Sequence, residues 1–278
     1  MQPRDSGSWA IGAIMLVLKI GGSMADSAAS LAADIASLLS SGEKVVLVHG
    51  GGPQVTALEK AVGREPSYIY SKEGFKSRHT DFQTIQNFVM AVGGGVNSSL
   101  VLQLRKAGVN AVGVSASSGI VFAKRKILVG VENGKERMVR DDYSGKILRI
   151  DSAPLLALLE KGFVPIVAPI AQGEEFEPLN IDGDRAAAAI ASSLRAQKLM
   201  LFTDVEGYFR NFPNDLVSKA TASEIPAFQK GASAGMKRKL VAVSEALSGG
   251  VPEVVICSGT GEKPASSALA GSGTHFVK

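Results

Sequence analysis

Six short apolar runs constrain this chain more than any other feature: residues 15–20, 45–49, 111–115, 164–168, 198–203 and 254–257. Within each, apolar residues follow one another without the polar alternation of a half-exposed strand, so each is expected to be buried on both faces. Segments with helical spacing separate them, clearest at residues 30–40, 82–92, 98–107, 153–161, 185–194 and 237–247. Doubly buried strands alternating with helices predict an α/β fold: an open, mainly parallel sheet sandwiched between helices. One stretch breaks the rhythm. Residues 120–150 hold two alternating runs around Asn133-Gly134, the strongest short-range hairpin signal, so a β-hairpin is expected to project from the core. The tail from Gly271 reads as a turn and a last strand.

At 278 residues the chain has room for two lobes, expected at 15–177 and 178–278. Residues 1–14 are expected to form a disordered extension. A net charge of +4 is too mild for a nucleic-acid binder, and a lone cysteine, Cys257, excludes an internal disulfide framework. No uninterrupted apolar stretch reaches the roughly 18 residues that span a bilayer. A cytoplasmic protein with no membrane or nucleic-acid partner is the expectation.

Two of the apolar runs end in glycine, at Gly21-Gly22-Ser23 and at Gly50-Gly51-Gly52. In a doubly wound sheet ligands bind at the carboxyl ends of the strands. Each glycine turn is expected to open a helix, turning unpaired N–H groups and a positive helix end toward the crevice as an anion cradle. Lys19, just before the first pair, is either a snorkelling edge charge or a fixed cation beside that cradle. Asn180, Asp182 and Asp184 precede an alanine-rich segment, which Asp184 alone could cap. Thr203-Asp204 closes another strand, where the carboxylate suits a nucleotide hydroxyl, a Mg²⁺-bound water or a plain turn. Lys237, Arg238 and Lys239 open a helix against its dipole, a placement that an anion would explain. Common nucleotide-binding and kinase signatures are missing, and His49, His79 and His275 show no partner pattern.

These stretches occur in the order of a known family. "LKIGGS", "VHGGGPQ", "RHTD", "PLNIDGDRAAAAIA", "FTDVEG" and "GMKRK" resemble the amino-acid kinase superfamily, in particular its acetylglutamate kinase branch. "GFKSRHTD", "VRDDYSGKI" and "GMKRK" further resemble the kinases of carrier-dependent lysine and arginine biosynthesis. These use ATP and Mg²⁺ to phosphorylate the side-chain carboxylate of 2-aminoadipate or glutamate while its amino group is attached to a small acidic carrier protein, LysW. The resemblance implies that Lys19 and Lys239 stabilise the transition state and that Asp184 orients them. It implies that Gly51, Gly52, Arg78 and Asn180 hold the substrate, that Gly21, Gly22, Thr203 and Asp204 border ATP, and that the protein is a homodimer. It implies no resident metal site.

The stretch Lys124 to Arg149 has eight cations and four anions, a net +4 equal to that of the whole chain. Lys124, Arg125, Lys126, Arg137 and Arg140 are therefore the expected docking cations for an acidic carrier. A basic edge that prevents strand pairing is the rival reading. Two functional alternatives stay open: an N-acetylglutamate kinase acting on free substrate, and a nucleotide-binding sensor without turnover.

Overall fold

The computed structural model describes residues 14–70, 76–132 and 135–278. The expectation for the first 14 residues thus falls, Ile14 apart, outside the described residues, as does the Asn133-Gly134 turn. In chain order the strands are β1 (Met15–Ile20), β2 (Lys44–His49), β3 (Tyr68–Tyr70), β4 (Lys76–Arg78), β5 (Ala111–Ser115), β6 (Val121–Arg125), β7 (Leu128–Glu132), β8 (Lys135–Val139), β9 (Gly145–Ile150), β10 (Val164–Ala168), β11 (Ile170–Gln172), β12 (Pro178–Asn180), β13 (Lys198–Thr203), β14 (Lys219–Thr221), β15 (Glu253–Ser258) and β16 (Thr274–Val277). The α-helices are α1 (Ala29–Ser40), α2 (Gly52–Ala61), α3 (Phe82–Phe88), α4 (Asn97–Lys106), α5 (Ala153–Glu160), α6 (Gly183–Ser193), α7 (Ile225–Gly231), α8 (Ala234–Ser248) and α9 (Pro264–Leu269).

One eight-stranded sheet, in the order β14-β16-β15-β13-β1-β2-β10-β5, runs through the molecule. It contains all six expected strands, and its pairs are parallel except β15–β16. The two halves of the chain meet at the β1–β13 pair, so they share one sheet. Leu16, Leu18 and Ile20 of β1 join the core under α1, α4 and α9, while Met15 and Val17 join that under α6 and α8. Alternation therefore sends Lys19 toward α6 and α8.

The structure differs from the expectations in several places. The hairpin projects only in its outer half. Its base strands β6 and β9 pair with each other and join β11 and β12 in a four-stranded sheet, and only β7–β8 continue as a two-stranded ribbon, whose β7 lies against β3. Strands β3, β4, β11, β12 and β14 have three residues each, too short to leave a readable period. Helical segments 82–92 and 98–107 are one run, Phe82–Lys106, joined by a π-helical segment, Val89–Val96, through three consecutive glycines. By length and composition this run could cross a bilayer, although polar residues such as Gln86, Asn87 and Asn97 interrupt it. Its inner face, including Ile85, Phe88, Val92, Leu100 and Leu104, is buried in the cores of this fold.

A polar network sits under the end of β2. Asn97 Nδ2 donates to the Ile166 carbonyl at 2.8 Å and lies 3.0 Å from His49 Nε2. Gly113 makes room for it, since a Cβ there would stand 2.0 Å from Asn97 Oδ1. Gly113→Ala is expected to displace that amide, leave buried polar groups unpaired and cost about 1–3 kcal/mol of stability. Denaturant unfolding of the variant checks it; a midpoint equal to wild type would contradict the network.

Candidate active site

Three charged side chains, far apart in sequence, meet above the carboxyl end of β1. Lys19 Nζ lies 2.6 Å from Asp184 Oδ1. Lys239 Nζ, from α8, lies 3.3 Å from Oδ1 and 3.2 Å from Oδ2 of the same carboxylate. Asp184 is in the first turn of α6 but does not cap it; Asp182 does, accepting from the Arg185 N–H at 3.0 Å. This settles the cap question left by the sequence and frees Asp184 for the lysines. Gly183 lets the lysine stem pass, because a Cβ there would lie 3.3 Å from Lys19 Cε.

Lys19 and Asp184 are 8% and 7% exposed. Burial pushes the Asp184 carboxyl up, but the charges of Lys19 and Lys239 and their hydrogen bonds outweigh it and bring it down to about 2. Burial, reinforced by Lys19, holds the Lys239 ammonium below the ordinary lysine range against the pull of Asp184. Two cations on one carboxylate leave an excess positive charge in a desolvated place, which an anionic ligand would neutralise.

The glycine turns lie beside this cluster. Ile20 and His49, the last residues of β1 and β2, are in register, so both turns leave the sheet at the same edge. They touch backbone to backbone: a Cβ on Gly22 would stand 2.9 Å from both Cα and N of Gly51. The second turn opens α2 as expected, with Gly51 as its N-cap and Gly52 as its first residue. The first does not open an α-helix; Gly21 precedes a short 3-10 segment, Gly22–Ser27, which has little dipole to offer. The positive helix end in the crevice therefore belongs to α2, with α6 beside it.

Arg78 lies at the end of β4 and reaches the second turn. Its guanidinium pairs with buried Glu59, donates to Thr56 Oγ1 at 2.6 Å and donates to the Gly52 carbonyl at 3.2 Å. Asn180 ends β12 and donates through Nδ2 to Thr80 Oγ1 at 3.1 Å. Buried Asp142 ties the neighbouring backbone, accepting from Thr80 N at 2.8 Å and Ser144 N at 2.7 Å. At the end of β13, Thr203 Oγ1 lies 3.0 Å from Asp204 Oδ1. Asp204 lines a cavity of about 550 Å³ with Glu206, Phe209, Phe212, Ser258 and Thr260. A second cavity of about 420 Å³ adjoins it, lined by Tyr208, Phe209, Arg210 and Met236. Both open in the carboxyl-terminal half, which also carries Thr203 and Asp204, the pair that the resemblance sets beside ATP. Among the described residues no three His, Cys, Asp or Glu side chains stand together as a metal site.

The five expected docking cations are not equivalent. Lys124 and Arg140 are exposed. Arg125 is half-buried, 4.1 Å from the Tyr143 ring, and donates to the carbonyls of Asp142 and Arg140 at 3.2 Å. Lys126 is half-buried, and burial together with nearby Arg185 holds its ammonium below the usual lysine range. Arg137 lies on β8, and its side chain lies outside the described residues.

Sequence reasoning missed Glu59, Thr56, Thr80 and Asp142, whose roles depend on contacts across the fold that no local pattern marks. It also found no partners for the histidines, and each has one. His49 bonds to Gly50 and Asn97, His79 stands 3.2 Å from Asp141, and His275 stands 2.5 Å from Glu253. Cys257 is buried, and burial pushes its thiol up to about 12, which leaves it an inert group.

Residues 15–258 match the sequence profile of the amino acid kinase family. The chain is 39% identical over 264 residues to the LysW-aminoadipate kinase of Deinococcus radiodurans, covering 94% of this chain and 90% of that protein. It is 38% identical over 264 residues to the LysW-aminoadipate/LysW-glutamate kinase of Saccharolobus solfataricus, covering 94% and 98%. Among solved structures, N-acetylglutamate synthase from Neisseria gonorrhoeae superposes with a TM-score of 0.76 at 29% identity, over 95% of this chain and 59% of that one. Carbamate kinase from Giardia lamblia shares the fold, with a TM-score of 0.68 at 19% identity over 97% of this chain and 100% of that one. With the glycine turns, the lysine–aspartate cluster and the open parallel sheet in place, the chain belongs to the amino acid kinase family.

Proposed function

We propose that this chain transfers the γ-phosphoryl group of ATP to the side-chain carboxylate of 2-aminoadipate or glutamate whose amino group is borne by a carrier protein of the LysW kind, in lysine or arginine biosynthesis. The observation that carries the reading is the pair of lysines on one buried carboxylate, beside two glycine turns in backbone contact. The names of near-full-length relatives supply the acceptor.

The acceptor carboxylate, with a reference pKa near ~4.3, is already ionised at neutral pH and needs no general base. The obstacle is the approach of one anion to another, so the work is charge neutralisation and in-line positioning. Lys19 and Lys239 supply fixed cations, and Asp184 sets their spacing. The N–H groups of Gly51 and Gly52, and of Gly21 and Gly22 on the nucleotide side, face phosphoryl oxygens without a Cβ in the way. Arg78, held by Glu59 and Thr56, binds a carboxylate of the amino acid, with Asn180 beside it. Thr203 and Asp204 border the nucleotide. The donor set fits a Mg²⁺ brought in on nucleotide phosphates and completed by water, with Asp204 an exposed carboxylate at the end of β13; the ion would add charge neutralisation.

The carrier docks on the β7–β8 ribbon. Exposed Lys124 and Arg140 supply charge beside an apolar strip of Ile127, Val129 and Met138, which are 67%, 45% and 53% exposed. Val129 and Met138 are cross-strand partners, so they share one face. A charged rim around an apolar centre is the make-up of a docking patch.

Coupled ATP turnover with carrier-linked aminoadipate, carrier-linked glutamate and free N-acetylglutamate tests the reading. Carrier-linked substrate is expected to give the highest kcat/KM. Lys124→Glu with Arg140→Glu should lower it most at low salt, and Arg78→Ala should raise KM for the amino acid while sparing that for ATP. Preference for free N-acetylglutamate would refute the carrier role.

The protein is proposed to be a homodimer, formed where the outer face of the long helical run is unpartnered. Met90, Gly94, Ser98 and Leu102 recur there every fourth residue and are all exposed, a stripe that lets two copies approach closely. Gly94→Arg is expected to yield monomers by light scattering; an unchanged mass would move the interface elsewhere.

A further inference from the structure

The second glycine turn is braced from beneath by a histidine that phosphoryl transfer does not itself require. His49 is fully buried. Its Nδ1 stands 2.8 Å from the Gly50 carbonyl oxygen, and its Nε2 stands 3.0 Å from Asn97 Nδ2. A carboxamide nitrogen donates only, so Nε2 accepts, the ring proton sits on Nδ1, and Nδ1–H donates to Gly50. Asn97 is fixed in turn by the Ile166 carbonyl at 2.8 Å and by the space that Gly113 leaves for it.

A trans peptide is planar, so its N–H points away from its C=O. With the Gly50 carbonyl turned toward the buried ring, the N–H of Gly51 is turned to the opposite side. That side is where the first glycine turn lies, with Gly22 so close that a Cβ on it would stand 2.9 Å from Gly51 N. The Gly50 N–H is spent on the Ile20 carbonyl at 2.9 Å, whereas that of Gly51 donates to no group among the described residues. Two neighbouring N–H groups thus have different fates, one structural and one free to meet a ligand.

We propose that His49 is a positioning residue: through the Gly50 carbonyl it aims the Gly51 N–H at the phosphoryl group in transfer. The inference rests on the phosphoryl-transfer reading above. A preset N–H lowers the barrier because it need not reorient as charge moves onto the transferring oxygens. A histidine that merely fills the core would contribute stability and leave the chemical step alone.

Two near-isosteres separate these roles. Asn places its amide nitrogen near the position of Nδ1 and keeps the bond to Gly50; Gln places its amide oxygen near Nε2, accepts there from Asn97 Nδ2 and loses the bond to Gly50. Each leaves one buried partner unpaired, so both should lose comparable stability. His49→Gln is expected to lose about 10²-fold in kcat with KM for ATP changed by less than about 3-fold, while His49→Asn stays within about 10-fold of wild type. Equal kcat in the two variants, or a His49→Gln enzyme within about 3-fold of wild type, would overturn the proposal. Wild-type enzyme inactive on every acceptor tested would instead refute the underlying phosphoryl-transfer reading. Should a variant fail to fold, labelled wild-type protein carries the test. On addition of the ATP analogue AMP-PNP with magnesium, the Gly51 amide resonance is expected to shift far more than that of Gly50. A Gly51 amide that stays in place would overturn the assignment.

Discussion

One buried carboxylate holds two ammonium groups, one buried and one half-buried, and much of the molecule is arranged so that it can. Asp184 attracts Lys19 and Lys239 strongly enough to stay ionised despite its desolvation, and in return it keeps two like charges close together. Such clusters are poor devices for stability, since desolvation consumes most of the Coulombic gain. Their value is a cationic surface already desolvated and already aimed before any ligand arrives. The net charge left over is what an anion would find.

The sheet makes the cluster possible. Parallel strands end at one edge, so groups widely separated in sequence arrive together: Lys19 from β1, the glycine turns from β1 and β2, Asp204 from β13. Helices add what strands cannot. The first turn of α6 brings Asp184 down on Lys19, and α8 packs alongside α6 to bring Lys239 to the same carboxylate. Glycine appears where backbones or side chains must pass closely, at Gly22 against Gly51 and at Gly183 against Lys19. The N–H groups and the lysines thereby share one small space.

The core strands were legible because burial on both faces removes polar residues from a run, and a run of five or six survives chance. Lys19 was legible as an anomaly, since a charge closing such a run needs a reason. The role of Asp184 was only half legible: a carboxylate in a first helical turn and one at an N-cap look alike in sequence, and only the fold shows that Asp182 is the cap. Glu59 and Asp142 left no mark, because a buried acid is explained by partners that come from other elements. The continuous helical run through Gly93-Gly94-Gly95 was hidden because glycine lowers helix propensity, while the tight packing that favours glycine there, such as Gly93 against Ile170, is tertiary. The ribbon's charge count was visible, but not that Arg125 is committed to Tyr143 and the backbone.

On the proposed reading, Lys19 and Lys239 act together on the transferring group through a shared carboxylate. Steady-state turnover of Lys19→Ala and Lys239→Ala, with unfolding midpoints recorded alongside, tests it most directly. Each single variant is expected to fold and to lose about 10²-fold or more in kcat, and the double variant to lose less than the product of the two, because both act through Asp184. Near-normal kcat in either single variant, or strictly multiplicative losses, would rule out joint action of the two lysines.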